Sequence, residues 1–264
     1  MPVQPSLFVS HGAPNLVLHD SPARAFLASH AQDLPRPSAI VCVSAHFETD
    51  TPAVVADPAP GMIYDFGGFE PELRRMVYPA PGDPALAVRI AGMIRGAGLP
   101  VATLPRRGYD HGTWVPLMLL YPDADIPVVQ LSIQPGRDAA HHHRLGRALA
   151  PLRTEGVLVL GSGSLTHNLH EVFLPGGMRA IDSETPDWVT GFVDWMVGRI
   201  EAGDTEAVID YRARAPFAAQ NHPTDEHLLP LHVALGAAGD GAVGRRIHAS
   251  CQYGVLHLDA YAFG

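Results

Sequence analysis

Cysteine is nearly missing from this chain of 264 residues, which has only Cys42 and Cys251. Two isolated thiols make neither a disulfide framework nor a zinc-finger spacing, and such sparse usage suits a reducing cytoplasm. A basic surface is missing too. Lysine and arginine number 18 against 27 acidic residues, a formal charge of −9, and no cationic stripe is present to neutralise phosphates, so no nucleic-acid partner is expected. No apolar run is long enough to span a bilayer, and Met1-Pro-Val-Gln-Pro5 shows no basic stretch followed by an apolar one. Neither a membrane anchor nor a secretory signal is therefore read. A glycine-rich nucleotide-binding motif, an internal repeat and a low-complexity tract are also lacking. With 47% apolar and 17% charged residues, the expectation is one globular domain over 1–264.

What the chain has in abundance is histidine, 15 residues, and proline, 25. Proline at that level suggests fixed loops around a rigid scaffold. The histidines stand in a recurring setting. Ile40, Val41 and Val43 form a short β-branched run, fit for a strand buried on both faces, and it ends in Ser44-Ala45-His46. Ser6-Leu-Phe-Val-Ser10 has the same shape and is followed by His11-Gly12-Ala13-Pro14. Between them, Ser21 as N-cap and Pro22 at the first helical position predict a helix through Ala23–Ala31. A β-α-β opening makes the two strands parallel, so both end at one edge, and two imidazoles share a rim if the strands are neighbours. In open α/β sheets ligands bind outside the carboxyl ends of strands.

Further along, strands are predicted at Ala53–Ala56, Val101–Leu104, Asp125–Ile133 and Gly156–Leu160. Helices are predicted at Pro84–Ala97, Val115–Tyr121, from His141 to about Leu152, and over Glu184–Ile200 and Glu206–Tyr211. A last helix is expected to open at Thr224 as N-cap, with Asp225 and Glu226 in its first turn, and the tail Gln252–Ala260 alternates as a strand closing the sheet. The fold class is thus α/β, with a largely parallel or mixed sheet flanked by helices. Three adjacent histidines, His141 to His143, read as a solvated helix start. His167 follows the Gly156–Leu160 strand across Gly161-Ser-Gly-Ser164. His111 and the pair Glu226-His227 also stand where a turn meets an element. Several histidines in such positions carry more weight than any one, because core histidines have no reason to prefer them. Gly12, Gly112 and Gly163 stand beside them, as close backbone approach or plain tight turns require equally. Tyr64, Phe66, Phe69 and Trp114 are candidates to wall an aromatic ligand, although packing is the commoner use of such residues.

Taken in order, several motifs resemble the class III extradiol ring-cleavage dioxygenases, in the branch that includes the 4,5-DOPA dioxygenases. They are His11-Gly-Ala-Pro14, Ser44-Ala-His46, Tyr64-Asp-Phe-Gly-Gly-Phe69, Tyr78-Pro-Ala-Pro-Gly82, Asp110-His-Gly-Thr-Trp114, Gly163-Ser-Leu-Thr-His-Asn168 and Thr224-Asp-Glu-His-Leu-Leu-Pro230. The resemblance implies that His11 and His46 are metal ligands. The third comes from His227, as in the DOPA branch, or from Glu226, as in relatives that use a carboxylate. It further implies His167 as the catalytic acid/base, His111 as a second histidine near the substrate, Fe(II) as the active metal, and a small aromatic diol plus O₂ as substrates. Nitrogen ligands bind Zn(II) at least as tightly, so zinc can occupy the same place. A zinc hydrolase and a non-catalytic metal-binding protein would use the same rim of histidines. A homo-oligomer is compatible with all of this.

Overall fold

The computed structural model describes residues 2–264. In chain order its strands are β1 (Ser6–Ser10), β2 (Ala39–Glu48), β3 (Ala53–Val55), β4 (Ala102–Leu104), β5 (Val128–Ile133) and β6 (Val157–Gly163). A small hairpin of β7 (Phe173–Leu174) and β8 (Gly177–Met178) follows, then β9 (Gly244–His248), a second hairpin of β10 (Cys251–Gln252) and β11 (Leu256–His257), and β12 (Ala260–Phe263). Eight of them build one sheet in the order β4-β3-β5-β2-β6-β1-β12-β9. Its centre, β5-β2-β6-β1, is parallel, while β3, β12 and β9 join antiparallel. The protein is a single α/β domain with a large, mostly parallel, mixed sheet.

Alternation along the central strands feeds two cores. Ile40 and Cys42 of β2, Leu7 and Val9 of β1 and Leu158 and Leu160 of β6 face α1 (Pro22–His30) and α3 (His111–Leu120). Val41, Val43, Val157 and Val159 point the other way, toward α2 (Pro84–Gly96), α4 (Ala139–Leu149) and α9 (Leu229–Ala237). Strands buried on both faces need such continuous apolar runs. A third cluster joins Phe8, Tyr261 and Phe263 to α5 (Asp187–Glu201), beyond which the short helices α6 (Thr205–Ile209), α7 (Tyr211–Arg214) and α8 (Ala218–Asn221) lead to the turn before α9. Among the described residues no helix is long and apolar enough to cross a membrane.

The structure departs from the sequence reading at five places, each with a local cause. First, β1 and β2 are not neighbours. Strand β6 lies between them, parallel to both, with Val9 opposite Ser162 and Ser44 also opposite Ser162. The three strands still end at one edge. Second, the helix expected from Thr224 starts at Leu229, with Pro230 in its first turn where a missing N–H costs nothing. Residues 223–228 instead form turns, pinned by the Leu228 N–H donating to Asp225 O at 2.9 Å. Third, α3 starts at His111, not Val115, because the Asp110 carboxylate accepts from the Thr113 N–H at 2.9 Å and caps it there. Fourth, the tail closes the sheet through Ala260–Phe263, while residues 251–257 turn back on themselves as a hairpin.

The fifth departure is His142, which is fully buried and not part of a solvated helix start. Its Nε2 accepts from the Gln134 N–H at 3.0 Å and its Nδ1 donates to Asp138 O at 2.8 Å. Both nitrogens are committed, so a second proton has no place, and burial lowers the ring to about 3. Unfolded, the same ring takes a proton near pH 6.5. The unfolded chain therefore binds more protons on acidification. The His142 share of stability is complete above pH about 6.5 and falls by about 1.4 kcal/mol per unit below it. Urea unfolding followed from pH 8 to 4 should show this slope, and His142→Gln should remove its share. An unchanged slope in the variant would mean that His142 titrates normally in the fold.

Candidate metal centre

Three backbone devices bring histidines to the carboxyl edge of the sheet. His11 follows β1 directly, with its N–H donating to Gly163 O at 3.0 Å. His46 lies near the end of β2 where the register against β5 shifts between Val43 and Glu48, and such an irregularity re-aims side chains. Gly112, at the start of α3, has no Cβ to strike Ser44 and His46, so that helix end lies against the His46 ring. The third device is the turn before α9. A side chain at Gly163 would collide with the His227 carbonyl, and one at Gly161 with the Pro230 carbonyl. With glycine at both, the turn lies flat on β6 and the Ser164 N–H donates to His227 O at 2.8 Å.

The result is a tight set of imidazoles. The Nε2 atoms of His11 and His46 are 3.1 Å apart, and each of His11, His46 and His227 offers an atom within 4.8 Å of the others. Hydrogen bonds fix which nitrogen is free. The Ser162 hydroxyl donates to Gly112 O, so its oxygen accepts from His11 Nδ1–H at 3.0 Å and leaves His11 Nε2 with a lone pair. His227 Nδ1 lies 3.0 Å from Glu226 Oε1, an acceptor, which leaves His227 Nε2 bare as well. His46 Nδ1 faces Asp65 Oδ2 at 3.6 Å, a longer contact of the same sense. Ligating histidines almost always hand their other N–H to a carboxylate or similar acceptor. Glu226 is thus turned toward imidazoles and not into the His11–His46 pair.

Two further rings flank this set. His111 packs on His46 with centroids 3.9 Å apart, and His167 stacks on His227 at 3.4 Å with an 11° interplanar angle. Asp65 ties one side together. Its Oδ1 accepts from His111 Nδ1 at 2.9 Å and from the His111 N–H at 3.2 Å. Burial alone would raise the Asp65 carboxyl, but the His111 hydrogen bond and the two neighbouring rings together bring it to about 2. The imidazoles move the other way. Burial, then repulsion from His111, lowers His46 to about 4. Burial lowers His167 to about 4 against the pull of Glu226, whose Oε1 is 3.9 Å from His167 Nδ1. Burial and the surrounding rings hold His11 and His227 well below the ordinary histidine value. These four rings are neutral at neutral pH, with lone pairs available to a cation.

A cavity of about 370 Å³ opens above the cluster, in the size range of small-molecule sites. Of the aromatic residues named from the sequence, Phe66 and Phe69 line it. Trp114 is fully buried behind Phe66, with ring centroids 6.3 Å apart, and Tyr64 donates its hydroxyl to Met76 O at 2.7 Å. Neither of the two borders the cavity. Sequence reasoning passed over Asp65 and Ser162 as site residues. Asp65 stood inside a motif read only for its aromatics, and Ser162 inside a Gly-Ser run read only as a turn.

The catalytic LigB subunit of aromatic ring-opening dioxygenase, as a family, matches residues 7–263. The chain is 43% identical to the 4,5-DOPA dioxygenase extradiol of Beta vulgaris, over 99% of this chain and 97% of that protein. It is 42% identical to the protein of the same name from Escherichia coli strain K12, over 88% and 84% of the two chains. The crystal structure of an uncharacterized protein from Escherichia coli K12 superimposes with a TM-score of 0.81 at 35% identity, covering 99% of this chain and all of the other. A match of this extent takes in every strand of the parallel centre and each histidine of the cluster. The chain belongs to the family of the catalytic LigB subunit of aromatic ring-opening dioxygenases, and is an extradiol ring-cleavage dioxygenase.

Proposed function

We propose that this enzyme opens the ring of a catechol-type diol, the class that includes DOPA, with O₂ at a metal held by His11, His46 and His227. The observation that carries this reading is the tautomer pattern. The buried rings of His11 and His227 turn Nδ1 to a hydroxyl and a carboxylate, the half-buried His46 faces Asp65 with its own Nδ1 at 3.6 Å, and the three have ligand atoms close enough for one shared cation. Iron(II) held by these residues would supply Lewis acidity toward a diol and the redox chemistry that reaction with O₂ requires. The all-nitrogen donor set also suits zinc, which can occupy the place without supporting that chemistry. Family membership favours ring opening over hydrolysis on the same imidazoles.

The protein groups then have separate work. His167 is neutral, its nearest carboxylate is Glu226, and it stands beside the ligand set without being needed in it. It is suited to take a hydroxyl proton from the diol and return it during carbon–carbon cleavage, with Glu226 steadying the imidazolium while it exists. His111 is held by Asp65 on the opposite flank, where its free nitrogen can meet a substrate oxygen. Phe66 offers a ring face to the diol.

Two variants separate metal binding from proton transfer. His227→Ala is expected to lose iron and oxygen uptake together. Glu226→Gln is expected to weaken iron about 10–100-fold by loosening the orientation of His227. Iron stoichiometry after anaerobic reconstitution measures both, and full iron content in His227→Ala would remove it from the ligand set.

His167→Ala is expected to keep its iron and melting temperature while single-turnover cleavage slows by roughly 10²–10⁴-fold. A variant that binds iron, melts normally and cleaves catechol at the parent rate would end the acid/base assignment. The parent enzyme itself should consume one O₂ per diol.

A further inference from the structure

The cavity has two unlike halves. Its floor is the imidazole cluster, and its walls and rim are mostly apolar, with Ser164 and Tyr253 the only hydroxyl-bearing side chains among them. Phe66 and Phe69 come from the loop before α2, Phe173 and Met178 from the β7–β8 hairpin, and Leu256 and Leu258 from the C-terminal segment. No aspartate, glutamate, arginine or lysine lines it. The whole chain contains no lysine. Of the arginines of neighbouring segments, Arg75 is exposed to solvent and three others are engaged within the protein. Arg74 donates to Phe66 O at 2.8 Å, Arg107 pairs with Asp110 at 2.7 Å and Arg179 with Glu171 at 3.1 Å. The carboxylates nearest the floor, Asp65 and Glu226, face histidines.

The rim carries a second signal. Phe173 is 62% exposed and Met178 57%, although both border the cavity. They are cross-strand partners in the hairpin, so they present one paired apolar surface. Phe69 and Leu169, also on the cavity, are exposed too. Single exposed apolar residues are ordinary, but a contiguous group at a cavity mouth marks a binding surface. These side chains leave water only when something apolar enters between them. An amino-acid substituent would instead bring an ammonium and a carboxylate against walls that offer neither a partner, and an unpaired charge is costly to desolvate.

Resting on the catechol reading above, the geometry points to a ring substituent that is uncharged and apolar, an alkyl, alkenyl or aryl group, with Phe173 and Met178 as specificity-determining residues. DOPA and other charged catechols are poorer ligands than their alkyl counterparts.

The test is a series of catechol, 4-methyl-, 4-ethyl- and 4-propylcatechol, DOPA and 3,4-dihydroxyphenylpropionate on the iron-loaded enzyme. Each is titrated calorimetrically without oxygen and then assayed for oxygen uptake. Affinity should rise about four-fold per added methylene, with DOPA no tighter than catechol itself. Phe173→Ser/Met178→Ser, a change at exposed positions, should flatten the alkyl series while leaving the melting temperature in place. Tighter binding or faster turnover of DOPA or the propionate than of 4-propylcatechol overturns the inference and leaves ring opening standing. An alkyl series that is flat in the parent, or equally steep in the double variant, also overturns it. No oxygen uptake with any diol, despite full iron and a rising anaerobic series, overturns the catechol-cleaving reading and not the apolar cavity.

Discussion

The Nε2 atoms of His11 and His46, 3.1 Å apart inside the protein, set a problem the rest of the site is built to solve. His11 spends its proton on Nδ1 toward Ser162, and where His46 keeps its proton on the Nδ1 that faces Asp65 at 3.6 Å, two lone pairs face each other. Bare acceptors opposed in a buried place are unfavourable unless a proton or a cation comes between them. Protonation is the poorer answer, because burial and three more imidazoles nearby penalise a positive ring. A divalent cation answers all the lone pairs at once. The surrounding acceptors therefore matter as much as the ligands: without Ser162, Glu226 and Asp65 the rings could turn over or swap tautomers, and the lone pairs would no longer converge.

Convergence depends in turn on the sheet. Parallel strands deliver their carboxyl ends to one edge whatever their order, which is why His11 and His46 meet although β6 runs between their strands. That intervening strand is used twice. Ser162 on it orients His11, while Gly161 and Gly163 leave room for the turn that carries His227. An alanine at 163 would press on the His227 carbonyl and move a ligand without touching one. The site is thus held by regular structure on two sides and by a turn on the third, and regular structure is the more precise support.

Much of this was legible beforehand because it depends on short-range pattern. β-Branched runs ending in Ser-x-His or Ser-His gave strands and their exits, and Ser21-Pro22 gave the start of α1, capped by Ser21 as expected. What failed depended on contacts that the periodicity of a segment does not announce. Thr224 looks like an N-cap until Pro230 and the backbone of Ser164 decide where α9 begins. His142 looks solvated until Gln134, in the loop between β5 and α4, turns its N–H onto the ring. Asp65 and His111 are 46 residues apart, so no local spacing announces their hydrogen bond. Trp114 looked like a wall for a ligand, but the cap at Asp110 starts α3 early and the indole is fully buried.

The ligand chemistry also bears on which substrate charge the floor accepts. Three neutral imidazoles, the ligand set proposed above, would leave a divalent ion with its full charge, whereas a carboxylate in the third place would cancel part of it. Here the carboxylates stand one step back. Asp65 hydrogen-bonds His111 and faces the far nitrogen of His46, and Glu226 lies against Nδ1 of His227, so neither is directed at the Nε2 atoms of the His11–His46 pair. Field from that distance steadies the imidazoles without competing for the ion. With such an ion bound, the floor proposed above would attract the two oxygens of a diol that is losing its protons, and burial would strengthen the attraction by excluding water. Nothing comparable exists higher in the cavity, where Phe66, Phe173 and Leu258 form the wall. Charge recognition is concentrated at the oxygens and withheld from the rest of the ring. A diol can then be held in one orientation, oxygens down, by the contrast between the two halves alone.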